Sequence, residues 1–238
     1  MTSSTSPISL GHGATVVTKH LAKGDEKCEL TLVLFDESQC LLQVASNATK
    51  KGARAVAAIA AQAGAIAACN GGYFDPPKML PSGLEIAGGV RTGTLDLAMP
   101  FGGTLLVEGG RGSIIASEKF ADHPGISDLI QCCPRLVENG REIKNLGDGP
   151  VALRTFILTD GSGRWALGNS GNIKIQELAR VLSDPKILSE LQVQSALNLD
   201  GGPSTALWCK HDTGGQTSSS EVWKVRNVIL VSPRKQGG

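Results

Sequence analysis

The stretch ALNLDGGPSTALW, residues 196–208, sets a carboxylate and two glycines inside what otherwise reads as core strand. Apolar residues lead into Asn198, Asp200, Gly201, Gly202, Pro203, Ser204 and Thr205, and then apolar residues resume. A carboxylate directly after an apolar strand is costly to bury unless it is paired, hydrogen-bonded or metal-bound. Gly201 and Gly202 leave the surroundings of Asp200 sterically open, and their backbone N–H groups can face an anion or a ligand. Ser204 and Thr205 add hydroxyls at the same place. The competing structural reading is an aspartate that satisfies its own turn.

Three further groups carry potential chemistry. Arg154 lies near the start of the apolar run LRTFIL, where alternation turns it to the face opposite Leu153 and Thr155. A guanidinium there suits bidentate contact with phosphate or carboxylate; the plain alternative is an exposed strand arginine. Arg91 and Arg135 are weaker candidates for the same task. The loop NGGYFD places Asn70, Gly71, Gly72, Tyr73 and Asp75 together, an amide, a phenol and a carboxylate suited to holding a sugar ring. Glu85, between Leu84 and Ile86, is a potential inward-facing second carboxylate. Asp200, Asn70 and Glu85 also offer oxygen ligands to Ca²⁺ or Mg²⁺, so a divalent cation is possible although no cofactor is required. The four histidines are scattered, and a serine nucleophile at Ser204 would have only His211 nearby as its base. Neither a GxSxG elbow nor a Walker A loop is present.

These residues need elements to hold them. Helix, short apolar strand, then Asn and Gly-Gly occurs twice, in AIAACNGGYFDP and in QSALNLDGGPST. Each copy puts polar groups on a glycine turn at the exit of a buried strand, a usual place for a site. Elsewhere the pattern predicts a hairpin of Glu29–Phe35 and Cys40–Ala45 across DESQ. It predicts a helix from about Ala53 to Gln62 that stops at Gly64, followed by a strand Ala65–Cys69. Short strands are expected near Leu84–Ile86 and Thr104–Glu108. Asn139–Gly140 suits a two-residue type I′ hairpin turn, and strands Leu153–Thr159 and Arg164–Leu167 flank Asp160–Gly163. Apolar residues at 175, 178, 179, 182, 187, 188 and 191 describe an amphipathic helix broken at Pro185. Strands Ser195–Leu199 and Val225–Val231 complete the set. The expected fold is α+β: a mixed, largely antiparallel twisted sheet with two main helices packed on it. Residues 1–13 read as a flexible leader and 14–238 as a single domain.

Composition bounds the partners. In 238 residues, 41% hydrophobic and 19% charged residues support a sizeable core, and 30 glycines favour a turn-rich sheet fold. Lys and Arg number 23 against 22 Asp and Glu, so the net charge of +1 leaves no electrostatic footprint for nucleic acid. An anionic ligand must then be gripped by a few placed groups. No apolar run reaches the roughly 20 residues of a membrane span, and the polar start lacks the marks of a signal peptide. Six cysteines are consistent either with disulfides or with buried free thiols.

The motifs NGGYFD, PSGLEIAGG, PRLVENG, LRTFILTDG and ALNLDGGPST occur in the order seen in the phosphodiester glycosidase domain family, which the chain resembles from roughly Leu30 to Val231. That family includes N-acetylglucosamine-1-phosphodiester α-N-acetylglucosaminidase and many bacterial secreted proteins. The resemblance implies an extracytoplasmic hydrolase that cleaves a sugar-1-phosphate diester on a glycan or cell-envelope substrate, releasing free sugar and a phosphomonoester. The residues read above fit that chemistry: Asp200 would serve as nucleophile or as base for water, Glu85 as a second catalytic carboxylate, and Arg154 with the Gly201–Gly202 amides would hold the phosphate. Asn70, Gly71, Gly72, Tyr73, Asp75, Asn198, Gly201, Gly202, Ser204 and Thr205 would bind substrate. Two positions depart from the pattern. Pro203 stands where the family more often has a third glycine, which removes one N–H from the turn. RTFILTDG replaces the usual glycine–aspartate after the arginine. Those departures motivate the alternative of a non-catalytic carbohydrate- or cell-envelope-binding module.

Overall fold

A computed structural model describes residues 2–23, 26–47 and 52–234 of the chain. Strands dominate it, in three antiparallel sheets and one two-stranded ribbon. The largest sheet has nine strands. Its order runs Thr2–Ser4, Ala14–Lys23, Glu26–Asp36, Arg164–Ile173, Ala152–Thr159, Ser195–Asn198, Arg135–Glu138 and Arg141–Glu142, with Ile8–Gly11 also paired to Ala14–Lys23. A five-stranded sheet runs Gln216–Ser219, Leu207–Lys210, Ala67–Asn70, Asn227–Pro233 and Cys40–Ser46. A second five-stranded sheet runs Val90–Thr92, Glu85–Ala87, Ile126–Cys132, Gly103–Glu108 and Arg111–Ala116.

Alternation along the strands explains the layering. In Glu26–Asp36, Val33 and Phe35 face a central core shared with Cys69 and Ile229 of one smaller sheet and Leu105 and Ile130 of the other. Leu30 and Leu32 face the opposite way, against the helix Ile175–Ser183. We label this helix α2 and the helix Val56–Ala63 α1. α2 buries Ile175, Leu178, Ala179, Val181 and Leu182, the stripe that its 3.6-residue period predicts. α1 packs Val56, Ile59 and Ala60 on the outer face of the sheet containing Ala67–Asn70, beside Ala68, Trp208 and Val228. Both helices therefore lie on outer faces, and the sheets enclose the main core between them.

Helix α1 ends as the sequence requires, with Gly64 in the left-handed region at φ 67° and its N–H reaching back to Ala60 and Ala61 carbonyls. α2 ends at Ser183, because Asp184 precedes a proline and adopts extended backbone. Leu188 and Leu191 still reach the core beside α2, but from turns after the helix rather than from a second helical segment. The Asn139–Gly140 turn has positive φ at both residues (51° and 74°), which is the geometry of a type I′ hairpin.

Three expectations are corrected. Glu29–Phe35 and Cys40–Ala45 do not form a hairpin. Both edges of Glu26–Asp36 are occupied, by Ala14–Lys23 and Arg164–Ile173, so the chain turns at Asp36–Gln39 and enters another sheet. Non-local pairing outranks the local turn signal here. Within 1–13, residues expected as a leader form the strands Thr2–Ser4 and Ile8–Gly11, and Leu10 is buried in the main core. The sheet is also more uniformly antiparallel than expected, since every strand pairing among the described residues is antiparallel.

Candidate functional site

The strands Ser195–Asn198 and Ala67–Asn70 belong to different sheets, yet their glycine turns touch. Asp200 N–H donates to the Gly71 carbonyl at 3.0 Å. Asn70 Nδ2 donates to the Asp200 carbonyl at 2.7 Å. Asn70 is fully buried, and its Oδ1 accepts from Thr155 Oγ1 (2.7 Å) and from Ala206 N–H (2.9 Å). One side chain thus ties together both turns, the Ala152–Thr159 strand and the segment after Thr205. Its polar atoms are spent on the protein itself, which makes Asn70 a brace rather than a group facing a sugar.

Register brings Arg154 to the same place. Phe156 pairs with Asn198, and the ladder continues with Leu199 N–H donating to the Thr155 carbonyl at 2.9 Å. The next position along each strand sets Arg154 beside Gly201. The contact is close enough to demand glycine: a Cβ on Gly201 would lie 2.7 Å from the Leu153 carbonyl oxygen. The half-buried guanidinium of Arg154 is steadied by carbonyls, Nε on Ile173 at 3.3 Å and Nη2 on Pro150 at 2.6 Å. Burial lowers its pKa, and the nearby Tyr73 hydroxyl opposes that shift.

Tyr73 completes the cluster. Asn198 Nδ2 lies 2.9 Å from Tyr73 Oη and also donates to the Cys133 and Leu199 carbonyls, at 3.0 and 2.8 Å. Burial pushes the Tyr73 pKa far up; Cys132, Cys133 and Asp200 add to the rise and Arg154 opposes it. The phenol therefore stays protonated and available as a donor. Burial also raises the Asp200 pKa, against the hydrogen bonds from Ser204 and from Gly201. Gly201 N–H is directed at the Asp200 Oδ1 (2.9 Å), so this amide supports the carboxylate rather than an outside anion. Gly202 has φ +57° and begins a short 3₁₀ turn, Gly202–Ser204, that buries Ser204 beneath Asp200. Thr205 Oγ1 and Asn198 Oδ1 are buried without a hydrogen-bond partner.

Glu85 sits elsewhere in function. It is buried (1% exposed) and forms a two-pronged ion pair with Arg226, Nη2–Oε1 2.7 Å and Nε–Oε2 3.1 Å. Asn227 Nδ2 donates to the same carboxylate at 2.5 Å, while Asn227 Oδ1 accepts Gly72 N–H at 2.8 Å. Both Glu85 oxygens are occupied, so it holds the Gly71–Gly72 turn through Asn227 instead of presenting a free carboxylate. Gly71 is needed for that packing, since a Cβ there would fall 1.9 Å from Asn227 Oδ1. Asp75 lies on the ribbon Phe74–Asp75/Leu80–Pro81 with Lys78 at 3.3 Å, an exposed surface pair. Arg91 pairs with Asp122 at 2.6 Å on the surface, and Arg135 pairs with Glu138 at 2.5 Å. His211 Nε2 lies 2.8 Å from Thr217 Oγ1, whereas the Ser204 hydroxyl bonds Asp200.

The positions that sequence reasoning passed over are Thr155, Arg226 and Asn227. The signal for the last two was present in VRNVIL, where a buried arginine and asparagine open an apolar strand and must find polar partners. Among the described residues no group of three or more His, Cys, Asp or Glu side chains is arranged to hold a metal ion. The oxygens of Asn70 and Glu85 offered as ligands by the sequence are engaged as described above. All six cysteines are free, four of them buried.

Two small helices on several antiparallel sheets, with paired Asn/Asp–Gly–Gly turns in contact beside a carboxylate, an arginine and a tyrosine, define an α+β protein with a polar cluster where the sheets meet. The sequence profile of the phosphodiester glycosidases (NAGPA) matches residues 63–232, and the chain belongs to that family of hydrolases. Its fold resembles the catalytic domain of zebrafish N-acetylglucosamine-1-phosphodiester alpha-N-acetylglucosaminidase, auto-inhibited by its pro-peptide. The TM-score is 0.69 at 14% identity, over 98% of this chain and 88% of that one. A protein from Synechocystis is similar with a TM-score of 0.60 and 16% identity, over 93% of this chain and 62% of that one. A protein from Burkholderia pseudomallei K96243 has a TM-score of 0.53 and 13% identity, over 92% and 74%. No curated protein sequence matches significantly. No helix among the described residues is long and apolar enough to cross a membrane.

Proposed function

We propose that the cleft at Asp200 hydrolyses a sugar-1-phosphate diester of a glycan or cell-envelope molecule, yielding free sugar and a phosphomonoester. The observation that carries this reading is the direct contact between the two glycine turns, with Asp200 and Arg154 each within electrostatic reach of Tyr73. Such a substrate carries one negative charge, which Arg154 is placed to neutralise. Its phosphate leaving group needs little acid assistance, so one ionised carboxylate suffices as base for water or as nucleophile. Asp200 fills that role, and its protonation by the attacking water is eased by the burial that raises its pKa. Tyr73, kept protonated, donates to the phosphate or to a ring hydroxyl. Glu85 and Asn70 act as positioning residues, through Asn227 and through the Asp200 carbonyl. The reading needs no metal ion, and activity that survives a chelator is the matching expectation. An extracytoplasmic setting, as the family resemblance implies, belongs to the same proposal.

The alternative, a binding module without turnover, draws on Pro203 and on the Arg154 guanidinium, which is already held by two carbonyls. One assay separates the readings. The protein is incubated with a sugar-1-phosphate diester in H₂¹⁸O, and the products are weighed by mass spectrometry. Label in the released sugar shows attack at the anomeric carbon and label in the phosphate shows attack at phosphorus. No products, with retained sugar binding, selects the module.

A further inference from the structure

We infer that Trp223 is an aromatic platform for a sugar ring of the substrate, a specificity-determining residue at the rim of the cleft; this rests on the proposed site and extends it. The carbonyl of Pro203, three residues after Asp200, accepts both Val222 N–H (2.7 Å) and Trp223 N–H (3.1 Å). The two bonds fix the Val222–Trp223 tip against the turn that carries the carboxylate. The base of the tip is fixed as well. The buried Glu221 carboxylate accepts Val56 N–H at 3.0 Å, and on the other side Arg226 and Asn227 are locked onto Glu85. A tip pinned at both ends holds its side chains outward at no cost in packing: Val222 is 81% exposed and Trp223 54%. A large indole kept in water on a support tied to the turn that carries Asp200 is placed to meet a ligand of that turn.

The surroundings favour a sugar over a lipid chain. The apolar tip is two residues wide and is bordered by the exposed, polar Ser220 and Lys224. An indole face matches the C–H face of a pyranose, and hydroxyl and ammonium neighbours match the ring hydroxyls. An acyl chain would need a longer apolar surface.

The chain supplies its own probe, because Trp165 and Trp208 are buried and Trp223 is the exposed tryptophan of the three. Iodide quenching of tryptophan emission should fall when N-acetylglucosamine 1-phosphate or glucose 1-phosphate is added to the full chain, and no such protection should remain in Trp223→Ala. In turnover assays, Trp223→Ala should raise KM for a sugar-1-phosphate diester roughly tenfold and leave kcat within about twofold. Trp223→Phe should recover most of the affinity, and an aryl phosphodiester without sugar should show no change in KM. Unaltered quenching with either sugar phosphate, or protection by detergent micelles alone, overturns the platform. Protection without any turnover keeps the platform and removes the hydrolase reading, so the two fail separately.

Discussion

At the scale of single residues, Asp200 is the group on which chemistry and stability meet. Burial raises its pKa in the folded chain. The ionised form therefore costs the folded state stability at pH values above the raised pKa. That cost shrinks as pH falls through the window and is gone below about 4, the unfolded value. Asp200→Asn should then raise Tm by a few degrees, about 2–4 °C, near neutral pH, with the gain vanishing in acid. Differential scanning calorimetry at two pH values reads this directly. A base that must be ionised also predicts that kcat/KM falls on the acid side, with a midpoint above the ordinary aspartate range of about 4. Substitution of Glu85 should destabilise instead. Glu85→Ala leaves the Arg226 guanidinium buried and unpaired, and should cost about 3–5 kcal/mol in denaturant unfolding. A loss below about 1 kcal/mol would deny that pair its supporting role.

At the scale of elements, the glycine turns at Asn70–Gly72 and Asp200–Gly202 were legible in the sequence as an internal echo. Their strands and helices were placed to within a few residues. The echo leads one to expect that the two turns meet, as they do; what was not legible is the means, the register between Ala152–Thr159 and Ser195–Asn198 and the facing of two sheets. Glu85 illustrates the limit. Its position between Leu84 and Ile86 correctly implied that it points inward, but its partner comes from position 226, far along the chain. Alternation tells which way a side chain points and says nothing of who waits there. The brace across the turns gives an element-scale expectation. Asn70→Ala removes four hydrogen bonds, and should cost about 2–4 kcal/mol and lower kcat more than KM by loosening the cleft. Chemical denaturation together with steady-state kinetics checks both halves.

At the scale of the whole molecule, the fold works as a stack in which outer helices cover two sheets and the central core joins all three. Composition pointed to a glycine-rich sheet protein, and the near-neutral charge agrees with a site that grips its ligand through a few groups. The N-terminal strands escaped sequence reading because TSSTSPISLG lacks the alternation of a half-buried strand, while pairing with Ala14–Lys23 supplies the missing bonds. Removing residues 1–11 should take away the buried Leu10 and the edge pairing, lowering Tm by about 5 °C or more and leaving kcat nearly unchanged. Loss of activity with Tm intact would tie that edge to the cleft instead.

The central claim is that the two glycine turns build one cleft whose carboxylate breaks a sugar-1-phosphate diester. Its most direct measurement is kcat/KM for such a diester in the wild-type chain and in Asp200→Asn, compared at equal folded fraction. The predicted result is turnover in the wild type and a loss of about 10²-fold or more in the variant; equal rates in the two proteins would contradict it.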